Sequence, residues 1–156
     1  MSKSTVPAAA ALLPVLALLS FAVARADAPR PPSTEEQLVA HLGEAKWAAP
    51  KAPGFPAGVM GSAIAVDPAS GASIAYAKFE PGLVLPAHWH SHTEYSTLLA
   101  GKGTLVVDGK SYDEAPGSYA VIPAKAQHQF TCAPGAECIL LTRRAGPTDY
   151  HWVGKQ

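Results

Sequence analysis

Gly82-Leu83-Val84-Leu85-Pro86-Ala87-His88-Trp89-His90-Ser91-His92-Thr93-Glu94 is the stretch from which the rest of this chain is read. Three of the six histidines, His88, His90 and His92, fall within five residues, and Glu94 comes two positions later. In a strand, side chains at i and i+2 share a face, so His88 and His90 project together while Trp89 points away. A spacing of about 7 Å along the strand lets two imidazoles converge on one ion. Ser91 to Thr93 is a short connection, after which the next strand can bring a carboxylate, Glu94, alongside. His128 begins a further strand, Gln127 to Cys132, that can close the site from across a barrel.

Working outward, the chain from Val59 onward has no long 3.6-residue periodicity. Short runs rich in Val, Ile, Tyr and Thr are separated by turn residues, which predicts strands over 59–66, 72–79, 83–90, 94–100, 103–108, 111–114, 118–122, 127–132, 137–143 and 149–153. Asp108-Gly109 suits a two-residue hairpin turn, whose central positions both need positive φ. Pro134-Gly135 is read as a second hairpin turn, between Phe130 and Ile139. Many short antiparallel strands with no helices between them predict a sandwich or barrel, since parallel pairing needs crossovers.

This pattern resembles the cupins. Their first motif is a glycine, five residues, His-x-His, three or four residues, Glu, six residues and a glycine. Gly82, His88, His90, Glu94 and Gly101 meet it in full. Their second motif is a glycine, five residues, Pro-x-Gly, two residues and His, with Asn four positions later. Gly117, Pro123 and His128 match; Lys125 stands where the second glycine is usual, and Cys132 where the Asn is usual. The resemblance covers residues 59–143. It implies an all-β fold of the cupin type, a double-stranded β-helix or jelly-roll barrel, with metal held by the residues matching His88, His90, Glu94 and His128. Pro86 to His90 and Gly146 to Val153 are similar to small stand-alone bacterial cupins, a likeness that carries no reaction with it.

Three neutral imidazoles and one carboxylate around a divalent ion leave a +1 site, and six-coordinate geometry leaves two positions for water, dioxygen or a bidentate substrate. With imidazole and carboxylate donors and no thiolate, one divalent transition metal is expected, and Fe, Mn, Ni, Cu and Zn all suit. His92 lies outside the matched set. It is read as a pocket-mouth residue, with an exposed loop histidine as the alternative, and Glu94 and His92 are the candidates for moving a proton. The expected function is a mononuclear non-haem metal-dependent enzyme, of oxidoreductase or dioxygenase type, acting on a small molecule. The rival reading is a non-catalytic cupin that holds a small ligand or senses a metal. A third treats the domain as dimerising through edge strands into a homodimer.

The N-terminal segment sets the expected compartment. Residues 1–26 run from Lys3 through an apolar stretch, Val6 to Val23, to Ala24-Arg25-Ala26, the layout of a signal peptide cleaved after Ala26. Pro7 and Pro14 weigh against a membrane anchor. The mature protein is expected in the periplasm or secreted, not in the membrane. Residues 27–58 follow as a proline-rich linker and a short helix over 34–42, opened by a Ser33/Glu36 capping box and stopped at Gly43, ahead of a barrel over 59–156. The whole chain carries 12 basic and 12 acidic side chains, and the leader takes two of the basic ones, Lys3 and Arg25. That balance excludes a nucleic-acid scaffold and favours no anionic membrane.

Cys132 and Cys138 leave three readings open in an exported protein: a disulfide across the turn, a Cys132 thiol lining the barrel near the metal, or a Cys/His nucleophile pair, for which no orienting Asn or Asp is evident. Arg143 and Arg144 end a strand, so one faces inward. A solvated strand end is the reading taken, with binding of a substrate carboxylate as the alternative. His41 and His151 are read as surface residues. No Walker, Rossmann, serine-nucleophile or Cys-x-x-Cys pattern occurs.

Overall fold

The structure, a computed structural model, describes residues 38–154. The expected leader over 1–26 and the capping box over 33–36 lie outside the described residues. Ten strands follow in chain order: β1 Val59–Val66, β2 Ser73–Phe79, β3 Val84–Trp89, β4 Glu94–Ala100, β5 Gly103–Val107, β6 Lys110–Glu114, β7 Tyr119–Ile122, β8 His128–Cys132, β9 Cys138–Arg144 and β10 His151–Trp152. Each predicted strand is present. They form two five-stranded sheets, ordered β1-β2-β9-β4-β7 and β10-β3-β8-β5-β6, in which neighbours pair antiparallel. This is the jelly-roll barrel that the strand pattern implies. Among the described residues no helix is long and apolar enough to cross a membrane.

Inward-facing apolar side chains of both sheets fill the barrel: Phe79, Leu98, Ile122 and Leu140 from one, Leu85, Leu105 and Phe130 from the other. Phe79 and Phe130 meet with ring centroids 5.3 Å apart, so one aromatic pair spans the gap between the sheets. Each buried ring of this kind is worth on the order of 2–3 kcal/mol. Asp108 and Gly109 make the hairpin turn as read, with φ of 45° and 80°.

Two local readings are corrected. The helix over 34–42 does not form in its described part: Leu38 to His41 are irregular, and a single 3₁₀ turn, Leu42–Glu44, contains the Gly43 expected to end it. Leu38 and Val39 are 58% and 78% exposed. With no surface to take its apolar stripe, so short a helix lacks the packing that would offset its nucleation cost. Pro134-Gly135 is not a hairpin turn, because β8 and β9 belong to different sheets. The connection over 133–137 crosses from one sheet to the other, and a Cys132–Cys138 disulfide staples that crossing.

The two departures from the second cupin motif have separate outcomes. Lys125 adopts φ 67°, the conformation its usual glycine would supply, and its N–H donates to His90 O at 2.9 Å. Cys132 is taken up by the disulfide and supplies no thiol.

Candidate metal centre

Pro86 begins the local geometry. It cannot donate a ladder hydrogen bond, and the β3–β8 register shifts between Leu85 and His88. After that bulge His88 stands opposite His128 on β8. His90 follows where β3 ends, on the same face as His88. Each of the three has one ring nitrogen within 4.8 Å of those of the others, and all three are buried. Trp89 points outward and stacks on His151 with ring centroids 3.8 Å apart.

The other ring nitrogen is tied to backbone in every case. Nδ1 of His88 bonds Pro86 O at 2.7 Å, Nδ1 of His128 bonds Ala126 O at 3.0 Å, and Nδ1 of His90 bonds Asp149 O. A carbonyl accepts, so each Nδ1 carries the hydrogen and each Nε2 keeps its lone pair. Nε2 of His128 is buried and has no hydrogen-bond partner among the described residues. Burial, reinforced by His128, pushes His88 down to about 3, and burial lowers His128 as well. His88 is therefore a neutral donor across the physiological range.

Glu94 opens β4 and reaches the same place, its Oε2 3.1 Å from His90 Nε2. That oxygen also accepts from Nη2 of Arg144, which stands opposite Glu94 on β9. Nη2 lies 3.3 Å from His90 Nε2 and 3.2 Å from the Tyr150 hydroxyl. Burial alone would raise the Glu94 carboxyl, but the Arg144 charge, aided by His90, outweighs it and holds the group at about 2. Arg144 is therefore the inward member of its pair and is 5% exposed, not a solvated strand end, while Arg143 is exposed beside the Tyr95 ring.

Residues 75–142 match the family described as Cupin domain. Solved structures share the fold. The polyketide cyclase RemF from Streptomyces resistomycificus is 20% identical, with a TM-score of 0.64 over 78% of this chain and 88% of that one. Rru_A2000 from Rhodospirillum rubrum, a cupin-2 domain, is 21% identical, with a TM-score of 0.61 over 81% and 86%. Residues 75–142 of this chain are a cupin domain. KdgF from Halomonas sp. is 19% identical, with a TM-score of 0.57 over 74% of this cupin and 96% of its own chain. At these identities the likeness is one of fold. No curated protein sequence matches the chain.

Around the centre of this cupin, the C-terminal segment forms a wall. Besides the Asp149 carbonyl, the Tyr150 ring packs 4.7 Å from the His90 ring, and the Trp152 ring lies 5.3 Å from that of His88. Trp152 Nε1 donates to Pro53 O at 3.0 Å, pinning the segment to the N-terminal arm. His92 is not in the group of three; its ring packs against the backbone of Gly146. His151 Nε2 meets both Asp149 Oδ2, at 3.0 Å, and Ser91 Oγ, at 3.4 Å. One nitrogen serves both contacts, so the trio cannot relay a proton as a hydrolytic triad does.

Glu114 is a second buried carboxyl inside the barrel. It lines the inner cavity with His88, Glu94 and His128, and its Oε2 has no hydrogen-bond partner. Burial raises its pKa, and the charge on Glu94 adds to the shift. The polar run Lys-Ser-Tyr-Asp-Glu of β6 hid it, because four of the five residues are exposed.

Proposed function

We propose that this cupin is a metal-dependent enzyme in which His88, His90 and His128 hold one divalent transition ion, with Glu94 as the fourth ligand. The observation that carries this is the set of three buried imidazoles. Each is fixed through Nδ1 to a backbone carbonyl, and the lone Nε2 of His128 is left without a partner. A buried acceptor without a partner costs about 1–3 kcal/mol, and an ion at this point would remove that cost. When bound, such an ion supplies a Lewis acid with positions left for an oxygen donor.

The chain's own residues supply the rest. Pro86, Ala126 and Asp149 carbonyls orient the rings, Tyr150 and Trp152 exclude water from one side, and Arg144 keeps Glu94 ionised and ready to ligate. The donor set lacks thiolate and fits an oxidoreductase that handles dioxygen or an oxygen-donor substrate. The Cys132–Cys138 disulfide supports the exported reading, since such bonds persist in oxidising compartments.

Metal analysis after loading with Co(II) tests the centre. One ion per chain is expected in the parent protein, and most of it is lost in His88→Ala and in His128→Ala. Undiminished stoichiometry in both variants overturns the assignment.

A further inference from the structure

Two spaces meet at Arg144. The inner one, bounded by His88, Glu94 and His128, has a volume of about 40 Å³, room for a water-sized group. The outer one is a cleft of about 350 Å³ beneath the segment that includes Ala48 and Phe55, along β1 and β2. Thr142, Arg144 and Tyr150 border both. A molecule larger than water cannot enter the inner space whole, and one whose body lies in the outer cleft would pass only one functional group inward past Arg144.

The guanidinium at this threshold is underused. All its hydrogen bonds among the described residues run from Nη2, to Glu94, His90 and Tyr150. Nε is buried without a partner, and Nη1 makes no hydrogen bond among the described residues. Guanidinium offers five donors in a planar fork suited to a carboxylate, so most of that capacity remains. Charge points the same way. Ligating imidazoles are neutral, Glu94 and Arg144 cancel, and a divalent ion would leave the site positive even against an ionised Glu114, favouring an anion. The outer cleft is walled largely by Ala48, Ala52, Phe55, Ala63, Ala75 and Ala77, which suits an apolar body.

We propose that Arg144, with the Tyr150 hydroxyl, anchors the carboxylate of a small organic acid whose apolar body lies in the outer cleft. The anchored acid then presents its neighbouring oxygen to the histidine centre, a step that rests on the metal reading above. Arg144 is on this account a specificity-determining residue: it selects carboxylates over neutral isosteres.

Calorimetric titration of the full chain with benzoate and its neutral isostere benzamide, with and without Zn(II), tests this. Benzoate is expected to bind at least tenfold more tightly than benzamide. Arg144→Lys keeps a charge beside Glu94 but loses the fork, and should weaken benzoate tenfold or more while Zn(II) stoichiometry is retained. Tyr150→Phe, which removes one hydroxyl, should weaken it several-fold. Equal affinity for the two ligands, or equal benzoate affinity in the parent and both variants, overturns the anchor, as does the absence of any benzoate binding at millimolar concentration. Failure of the metal centre reads differently: Zn(II) does not bind, yet the preference for benzoate and its loss in Arg144→Lys persist in metal-free protein.

Discussion

Glu94 and Glu114 are equally hidden inside the barrel, each 7% exposed, yet their surroundings drive them in opposite directions. Register explains the difference. Glu94 stands opposite Arg144 on β9, which supplies a guanidinium. Glu114 stands opposite Gly103 on β5, which supplies nothing. Position 103 has no room for a side chain either, since a Cβ there would lie 2.5 Å from the Phe130 ring. Burial raises both carboxyls, and only the one with a cationic cross-strand partner is brought back down. A buried acid is thus set by its neighbour on the next strand more than by its depth.

The comparison breaks most sharply if Glu94 loses its partner. Arg144→Met should cost about 3–5 kcal/mol of stability, the usual penalty for leaving one half of a buried pair unmatched. Urea unfolding at neutral pH measures it, and a loss below about 1 kcal/mol would show that the pair is dispensable. The acid limb of the stability curve comes next. The folded-state value of Glu94, about 2, lies below its ordinary 4.5, so its contribution is complete above about pH 4.5 and lost as pH falls towards 2. Arg144→Met should flatten that limb, and an unchanged acid slope would assign it to other groups.

The smallest effect has the opposite sign. Glu114→Gln removes a buried ionisable group that has no cationic partner among the described residues and should gain about 1 kcal/mol at pH 7. Glu114 has a raised folded-state value, so the parent loses stability as pH rises from the ordinary carboxylate range through that value. The gain from Glu114→Gln should therefore shrink as pH is lowered into that range. A gain that is independent of pH, or a loss, would mean that the carboxyl is satisfied by something not yet identified.

The strands were legible because each alternates or runs apolar between clear turn residues, and the turn chemistry of Asp108-Gly109 left one conformation open. His88 and His90 were legible as a pair because period-two spacing puts them on one face, and Glu94 and His128 joined them through the resemblance to the cupin motifs. What stayed hidden depends on pairing between distant strands. Nothing near Arg144 in sequence announces Glu94, fifty positions earlier. Glu114 sits in a strand that looks wholly solvated, and its burial follows from the neighbouring Gly103. The crossing at Pro134-Gly135 was misread because a tight turn between two strands has the same local sequence whether the strands pair or part into different sheets. The N-terminal helix was misread because its capping signals are local, while a helix of that length needs a surface that Leu38 and Val39 do not have.

The anchoring of His90 by the Asp149 carbonyl spans 59 positions, and that of Trp152 on Pro53 spans 99. The Trp152 contact spans more chain than any strand pairing and carries the larger closure entropy, whereas the His90 contact matches β2–β9 pairs such as Phe79 with Cys138. The ring orientation at His90 depends on the C-terminal segment that supplies Asp149. A chain clipped short of Asp149 keeps two of its imidazoles oriented and leaves the third unfixed, so on the proposed metal reading the whole centre hangs on a segment that supplies no ligand of its own.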